Sequence, residues 1–258
     1  WRIRGLTAPA ATDRCVAGPR HLFTIAGGCQ RADLEPVNSP VIVACAQSCP
    51  TVVAVIPIKP LDRAKSRLHL PSNQRRSLAL AFAGDTIAAI SACAAVRSVT
   101  TVTADRRVAA LARELGADVV HDEARDLDQA VQAAVASVTR GHRDLGVMVA
   151  PGDLPALRAH DVCALLAQWG GHGAAFVPDC TGTGTTMVLA APRAEVVTRY
   201  GPDSAARHRE LGLRPLADAP QRVRLDVDTL ADLKRARALG LGNRTIAELA
   251  HGAPPWAG

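Results

Sequence analysis

Aromatic residues are scarce: three Trp, one Tyr and three Phe make up 3% of 258 residues. Such a chain has no aromatic-rich sandwich core and no stacking platform for single-stranded nucleic acid. Its core must come from Val, Leu, Ala and Ile. No apolar run reaches the roughly 18 residues of a membrane span, which argues against a membrane partner. The seven cysteines (15, 29, 45, 49, 93, 163 and 180) are odd in number and form no paired CxxC clusters. That pattern indicates neither a disulfide framework nor a zinc site and fits a reducing cytoplasm. Walker A (GxxxxGK[ST]) and GxGxxG loops are both missing. Lysine is rare too: Lys59, Lys65 and Lys234 are the only three among 30 basic residues.

The net charge of +6 is mostly arginine spread along the chain, without a block of five or six. A dispersed excess argues against a nucleic-acid partner and leaves more room for a phosphorylated small molecule. The first fifty residues carry four of the cysteines and five prolines but no sustained periodicity. They read as an upstream extension or a mis-set start, mostly disordered, ahead of a single domain over 51–258.

From residue 51 the pattern alternates between strand and helix. Strands are expected at 51–58, 98–103, 117–121, 145–150, 174–178, 185–191 and 222–227. Helices are expected at 72–92, 105–115, 126–140, 159–169, near 203–211 and at 229–239. Ser72 and Asp126 are candidate N-caps, and Gly116 a candidate stop. This order predicts an α/β fold: a mostly parallel central sheet with helices on both faces and an added antiparallel piece after 174. Ligands in such sheets bind beyond the carboxyl ends of the strands, so the residues after each strand matter most.

After the first strand comes IKPLDRAKSRL, which holds Lys59, Lys65 and Arg67. Lysines act as point charges and arginine grips two oxygens, so the loop suits a polyphosphate; the plain alternative is a solvated surface loop. After the fourth strand, Gly152 and Asp153 sit on a proline-bracketed turn. Asp153 either binds Mg²⁺ or merely shapes the turn and caps the next helix. Asp226 and Asp228 alternate onto one face where a strand gives way to a helix. Asp226 is assigned to a metal, and Asp228 is shared between metal and N-cap. Between these lies TGTGTT, which offers backbone N–H groups and hydroxyls or is simply a flexible hairpin. Gly201 and Ser204 then open a helix carrying Arg207 and His208. His208 reads as a surface residue or a general base.

Taken in order and spacing, IKPLDRAKSRL, PGDLPAL, TGTGTTMV, YGPDSAARHRE and RLDVDTLADLKRARALG resemble the CofC/FbiD family over about residues 52–250. These are guanylyltransferases of coenzyme F(420) biosynthesis. The resemblance implies a single-domain nucleotidyltransferase fold of GT-A or Rossmann-like type. It implies GTP as donor and phosphoenolpyruvate or 2-phospho-L-lactate as acceptor, the former suggested by the actinobacterial look of YGPDSAARHRE. Thr185, Gly201 and Ser204 match the family's acceptor-binding residues, and Asp153 and Asp226 its metal-binding aspartates. The Lys59–Arg67 loop matches the segment that meets nucleotide phosphates, Mg²⁺ is the implied cofactor, and the product passes to the next enzyme of that pathway. One departure stands out: the family usually has Leu-Asn where this chain has Leu127-Asp128. A sugar-nucleotide or molybdopterin nucleotidyltransferase would instead carry a Gly-rich loop with Arg and Lys after the first strand. A non-catalytic nucleotide- or nucleic-acid-binding module is the remaining alternative.

Overall fold

The run Val52–Pro57 forms strand β1, and Val52 through Ile56 are wholly buried. Its side chains point alternately to two separate cores. Val52, Ala54 and Ile56 pack with Ile87, Ile90, Leu165 and Trp169, whereas Val53 and Val55 pack with Val131, Ala134 and Ala205. A strand apolar on both faces can only sit in the middle of a layered sheet, with helices above and below. The computed structural model describes residues 49–121 and 127–251. The expectation of disorder over 1–50 lies outside the described residues, apart from its last two positions, as does Asp126.

The elements follow in the expected alternation. After β1 come a 3₁₀ turn at Ser66–Leu68, α1 (Ser72–Ser91), β2 (Val96–Thr103), α2 (Arg106–Glu114) and β3 (Asp118–His121). Then come α3 (Leu127–Thr139), β4 (Gly146–Val149), α4 (Ala159–Trp169), β5 (Ala174–Pro178) and β6 (Thr185–Ala190). The chain continues through α5 (Ser204–Glu210), β7 (Arg214–Pro215), α6 (Gln221–Arg224), α7 (Leu230–Ala238) and α8 (Asn243–His251). The sheet order is β3-β2-β1-β4-β6-β5-β7. Only β6 runs against its neighbours, β4 and β5. The expected antiparallel piece is therefore one strand, and its first residue lies at the same sheet edge as the carboxyl ends of the others. No helix among the described residues is long and apolar enough to cross a membrane.

Three local expectations are corrected. Residues 222–227 are not a strand: Pro220 caps the short α6, and Leu225–Asp228 then runs extended outside the sheet. Arg224 holds this geometry by donating to the carbonyls of Pro178, Ala217 and Asp179. Ser72 is not an N-cap but the first residue of α1, because Pro71 takes the cap position. Asp228 does not cap α7; Thr229 does, in a reciprocal box with Asp232. Gly116 does end α2 as expected, with φ of 78° and the Ala117 N–H returning to Ala112 O.

Helix α8 went unforeseen. Asp85, buried on α1, accepts from the Arg244 and Thr245 N–H groups and so satisfies the start of that helix. Cys93 and Cys163 face each other at 3.0 Å between α1 and α4, and no disulfide joins the described cysteines.

Candidate active site

The β1–α1 loop begins on a fixed anchor. Ile58 N–H donates to Val102 O, and Leu61 N–H donates to Asp105, the side chain that also caps α2. From there the loop turns through Lys65, whose φ of 57° is left-handed, and aims its ammonium inward. Lys65 Nζ donates to Asp153 and, at 2.9 Å, to Asp228. Its side chain is only 8% exposed. Burial alone would lower the lysine's pKa, but the charges and hydrogen bonds of Asp153 and Asp228 outweigh it and hold it above the usual value.

Two segments deliver the three carboxylates around this lysine. Asp153 follows β4, where Gly152 lies so close to Ile58 that a Cβ would stand 2.6 Å from Ile58 Cγ1. Leu154 N–H is fixed by Thr86 Oγ1. Asp226 and Asp228 come from the extended strip, which is tied to the β4 loop by Val227 N–H donating to Asp153 O. Leu225 and Val227 are buried in the core while Asp226 and Asp228 turn the other way, so the period of two predicted for a strand holds without one. One oxygen each from Asp153, Asp226 and Asp228 lie within 4.8 Å of one another.

The charges of this cluster are unequal. Burial, with Asp153 and Asp228 close by, pushes Asp226 up to about 7. Asp228 is more open; although burial would raise it, Lys65, Arg67 and Lys59 hold it below the ordinary carboxylate value. Asp153 Oδ1 is buried and has no hydrogen-bond partner. Arg67 is exposed and reaches to 3.8 Å of Asp228, and Lys59 is exposed at the mouth of the loop. Lys59 and Arg67 thus remain open to an incoming anion, whereas Lys65 is already engaged by carboxylates.

A second group of expected residues gathers where β6 begins. The TGTGTT stretch is no flexible hairpin: Asp179 accepts from the Thr181 N–H and hydroxyl, and Thr181 and Thr183 hydroxyls pair at 2.7 Å. A Cβ at Gly184 would stand 2.5 Å from Asp179 Oδ2, so a larger residue there would have to move the carboxylate that pins Thr181. Ala205 N–H donates to Thr183 O and joins this turn to α5. Thr185 Oγ1 lies 2.9 Å from His208 Nδ1. His208 is wholly buried, contrary to the surface position expected for it. Ser204 is buried on the same helix, and Gly201, with φ of 108°, makes the turn before it. Arg207 folds back onto the carbonyls of Tyr200 and Pro202 instead of facing outward to a ligand. Cys180 links the two groups, since its thiol, raised by burial, feels both Asp226 and Asp179.

Asp128, the departure from Leu-Asn, has a clear use. Its Oδ1 accepts from Thr198 Oγ1 at 2.7 Å and from Tyr200 N–H at 3.3 Å, so both partners are donors and an acid serves. Residues 52–246 match the family described as "Guanylyl transferase CofC like". The chain belongs to that family. Phosphoenolpyruvate guanylyltransferase of Streptomyces avermitilis is 46% identical over 200 residues, covering 76% of this chain and 93% of the relative. The Streptomyces coelicolor protein of the same name is 46% identical over 197 residues, covering 75% and 93%. Among solved structures, a putative nucleotide-diphospho-sugar transferase from Desulfovibrio desulfuricans superposes with TM-score 0.60 at 16% identity, covering 78% and 95%. At that identity the likeness speaks for the fold alone. As a CofC-like guanylyl transferase, the chain is a nucleotidyltransferase with a mixed sheet flanked by helices.

Proposed function

We propose that the protein transfers GMP from GTP to phosphoenolpyruvate, or to 2-phospho-L-lactate, releasing pyrophosphate and leaving enolpyruvyl- or lactyl-diphospho-guanosine. The observation that carries this reading is the convergence of Asp153, Asp226 and Asp228 around Lys65, from two loops at one sheet edge. Family membership and the relatives' common name support the donor and the acceptor.

The residues present fit a divalent metal. Carboxylates are hard oxygen donors, two of the three lie largely out of water, and Asp153 Oδ1 is buried without a partner. Asp153, Asp226 and Asp228 would hold Mg²⁺, which when bound neutralises the charge of the nucleotide phosphates.

The chain's own part follows from the charges to be managed. A phosphate monoester has its second pKa near about 6, so the acceptor is largely a dianion at neutral pH and needs no general base. One of its oxygens forms a bond to the α-phosphorus of GTP. The bond from that phosphorus to the β-bridging oxygen breaks, and pyrophosphate leaves with the electron pair. Two polyanions must be brought together in line, so positioning and charge neutralisation dominate. In this reading Lys59 and Arg67, open beside the carboxylates, meet the triphosphate together with the Lys65 ammonium they flank, and Thr185, Gly201 and Ser204 hold the acceptor.

The test is pyrophosphate release from GTP and Mg²⁺ with phosphoenolpyruvate, 2-phospholactate and 3-phosphoglycerate in parallel. Turnover with phosphoenolpyruvate or 2-phospholactate is expected. Turnover with a sugar 1-phosphate and with none of these three acids would move the protein to another acceptor class.

A further inference from the structure

Wholly buried histidines are costly unless both ring nitrogens are satisfied. One contact fixes how His208 carries its proton. Its Nε2 lies 3.0 Å from the backbone nitrogen of Arg199, and a backbone N–H can only donate. Nε2 therefore carries the lone pair. A neutral imidazole with an unprotonated Nε2 must bear its hydrogen on Nδ1. Nδ1 is the atom 2.9 Å from Thr185 Oγ1. Thr185 thus receives a hydrogen bond from the ring, and its own hydroxyl hydrogen is left to point elsewhere. Among the described residues no second partner takes it.

We infer that His208 is a positioning residue of the acceptor site, holding the Thr185 hydroxyl as an outward donor and anchoring the Arg199 backbone. This rests on the functional reading above, in which the acceptor is a small phosphorylated carboxylic acid. An anion needs donors, and a threonine free to rotate presents its oxygen lone pairs as readily as its hydrogen. With the ring donating to Thr185, one lone pair is taken and the hydroxyl hydrogen cannot turn to the protonated Nδ1, so it stays available to an anion. The same ring leaves no nitrogen for proton abstraction, so the general-base role considered for His208 is excluded by its hydrogen bonds.

The surroundings are built to keep the ring in place. Phe176 stands 5.5 Å away and Tyr200 5.8 Å away, centroid to centroid, the latter edge-on. Arg199 and Tyr200 belong to the strip that Asp128 also pins through Thr198 and the Tyr200 N–H. Two side chains from two different helices thus tie down one short loop ahead of Gly201 and Ser204.

Three substitutions separate the two hydrogen bonds. Asparagine in H208N places an amide N–H near the Nδ1 position and loses the Arg199 contact. Glutamine in H208Q reaches the Nε2 position with its carbonyl and loses the Thr185 contact. Phenylalanine in H208F keeps a ring and loses both. Steady-state kinetics should show the KM for the acceptor raised about tenfold to a hundredfold in H208F and H208Q, with the KM for GTP within about twofold. H208N should recover most of the acceptor KM. If H208Q recovers it and H208N does not, the Thr185 link is wrong; equal rises in both KM values would reduce His208 to a packing residue. Nitrogen-15 NMR of the ring tests the tautomer without any turnover: a single neutral form protonated at Nδ1 is expected, and protonation at Nε2 overturns the assignment. Failure of the wild-type enzyme to use any phosphorylated acid would instead strike the functional reading and leave the tautomer result standing.

Discussion

Lys65 and Asp153 leave from the ends of two neighbouring parallel strands, β1 and β4, and meet in a hydrogen-bonded ion pair. Asp228 completes the contact from the extended strip before α7. One lysine therefore joins the loop after β1 to two of the three clustered carboxylates.

Replacing that lysine tests its double duty. Lys65→Met should lower the transfer rate roughly a hundredfold, as loss of a preorganised cation does. It also leaves three carboxylates facing one another, so the ligand-free protein should lose up to about 3 kcal/mol of stability. Adding Mg²⁺ should restore part of the Tm. Thermal melts with and without the metal, beside a pyrophosphate assay, decide this; a variant as active as its parent contradicts the placement.

Asp226 carries a stability cost that a functional residue would explain. Its folded pKa of about 7 stands above the ordinary 3.8, so the folded state holds a proton that the unfolded chain has lost between those values. The stabilising contribution is complete below 3.8 and is lost as the pH rises through about 7. Asp226→Asn should therefore melt above the parent at pH 8, by roughly 2–4 °C per kcal/mol gained, and match it near pH 4. The same variant should lose transfer activity strongly. Activity kept at the parent's level would remove Asp226 from the metal role.

His208 has the opposite sign. Burial, helped by Arg207 and Arg199, holds its pKa below the ordinary 6.5, although the Ser204 carbonyl and Asp128 favour the cation. Its contribution is present above 6.5 and is lost as the pH falls through the lowered folded value. Denaturant midpoints between pH 7.5 and 5 should fall in the parent and fall less in His208→Phe. Parallel slopes would show that other groups set the acid limb.

Asp128 offers a conservative test. Only its acceptor oxygen is used, by Thr198 Oγ1 and the Tyr200 N–H. Asp128→Asn keeps an oxygen there and should change the acceptor KM less than about threefold. Asp128→Ala leaves both donors without a partner and should raise it about tenfold or more. Equal behaviour of the two variants would mean that the negative charge, not the acceptor oxygen, holds the loop.

Most of the sheet is legible because β1 and β4 are apolar on both faces and helices such as α2, between Asp105 and Gly116, carry an ordinary cap and stop. The strand expected at 222–227 is instead a short helix and an extended strip, since alternation of burial is shared by any extended segment and strand pairing is decided by neighbours that sequence does not display. The sequence does point to Asp153, Asp226 and Asp228 as one group, through the turn after the fourth strand, the alternation at 226 and 228 and the family motifs at Asp153 and Asp226, and the structure brings them together. What escaped was the company they keep. Nothing in AKSRL says that Lys65 turns through a left-handed residue into the carboxylates, since that is a tertiary outcome. Other pins did leave local marks: Asp179 two residues before Thr181 is an Asx pattern, and Thr229-x-x-Asp232 is a capping box. Burial of His208 left none, because its partners Thr185 and Arg199 come from outside its helix.

The lone reversed strand, β6, divides responsibilities across the sheet. On one side of it, the loops after β1 and β4 carry Lys65 and Asp153; on the other, its own first residue is Thr185, continued by the α5 segment. Selection could rework the Thr185 side only if the backbone at Pro178–Cys180, which is bonded to Arg224 ahead of the carboxylate strip, stays in place. A relative that took a different acid while keeping its nucleotide would be expected to differ mainly in 179–210, and a graft of that stretch is the natural route to a changed preference.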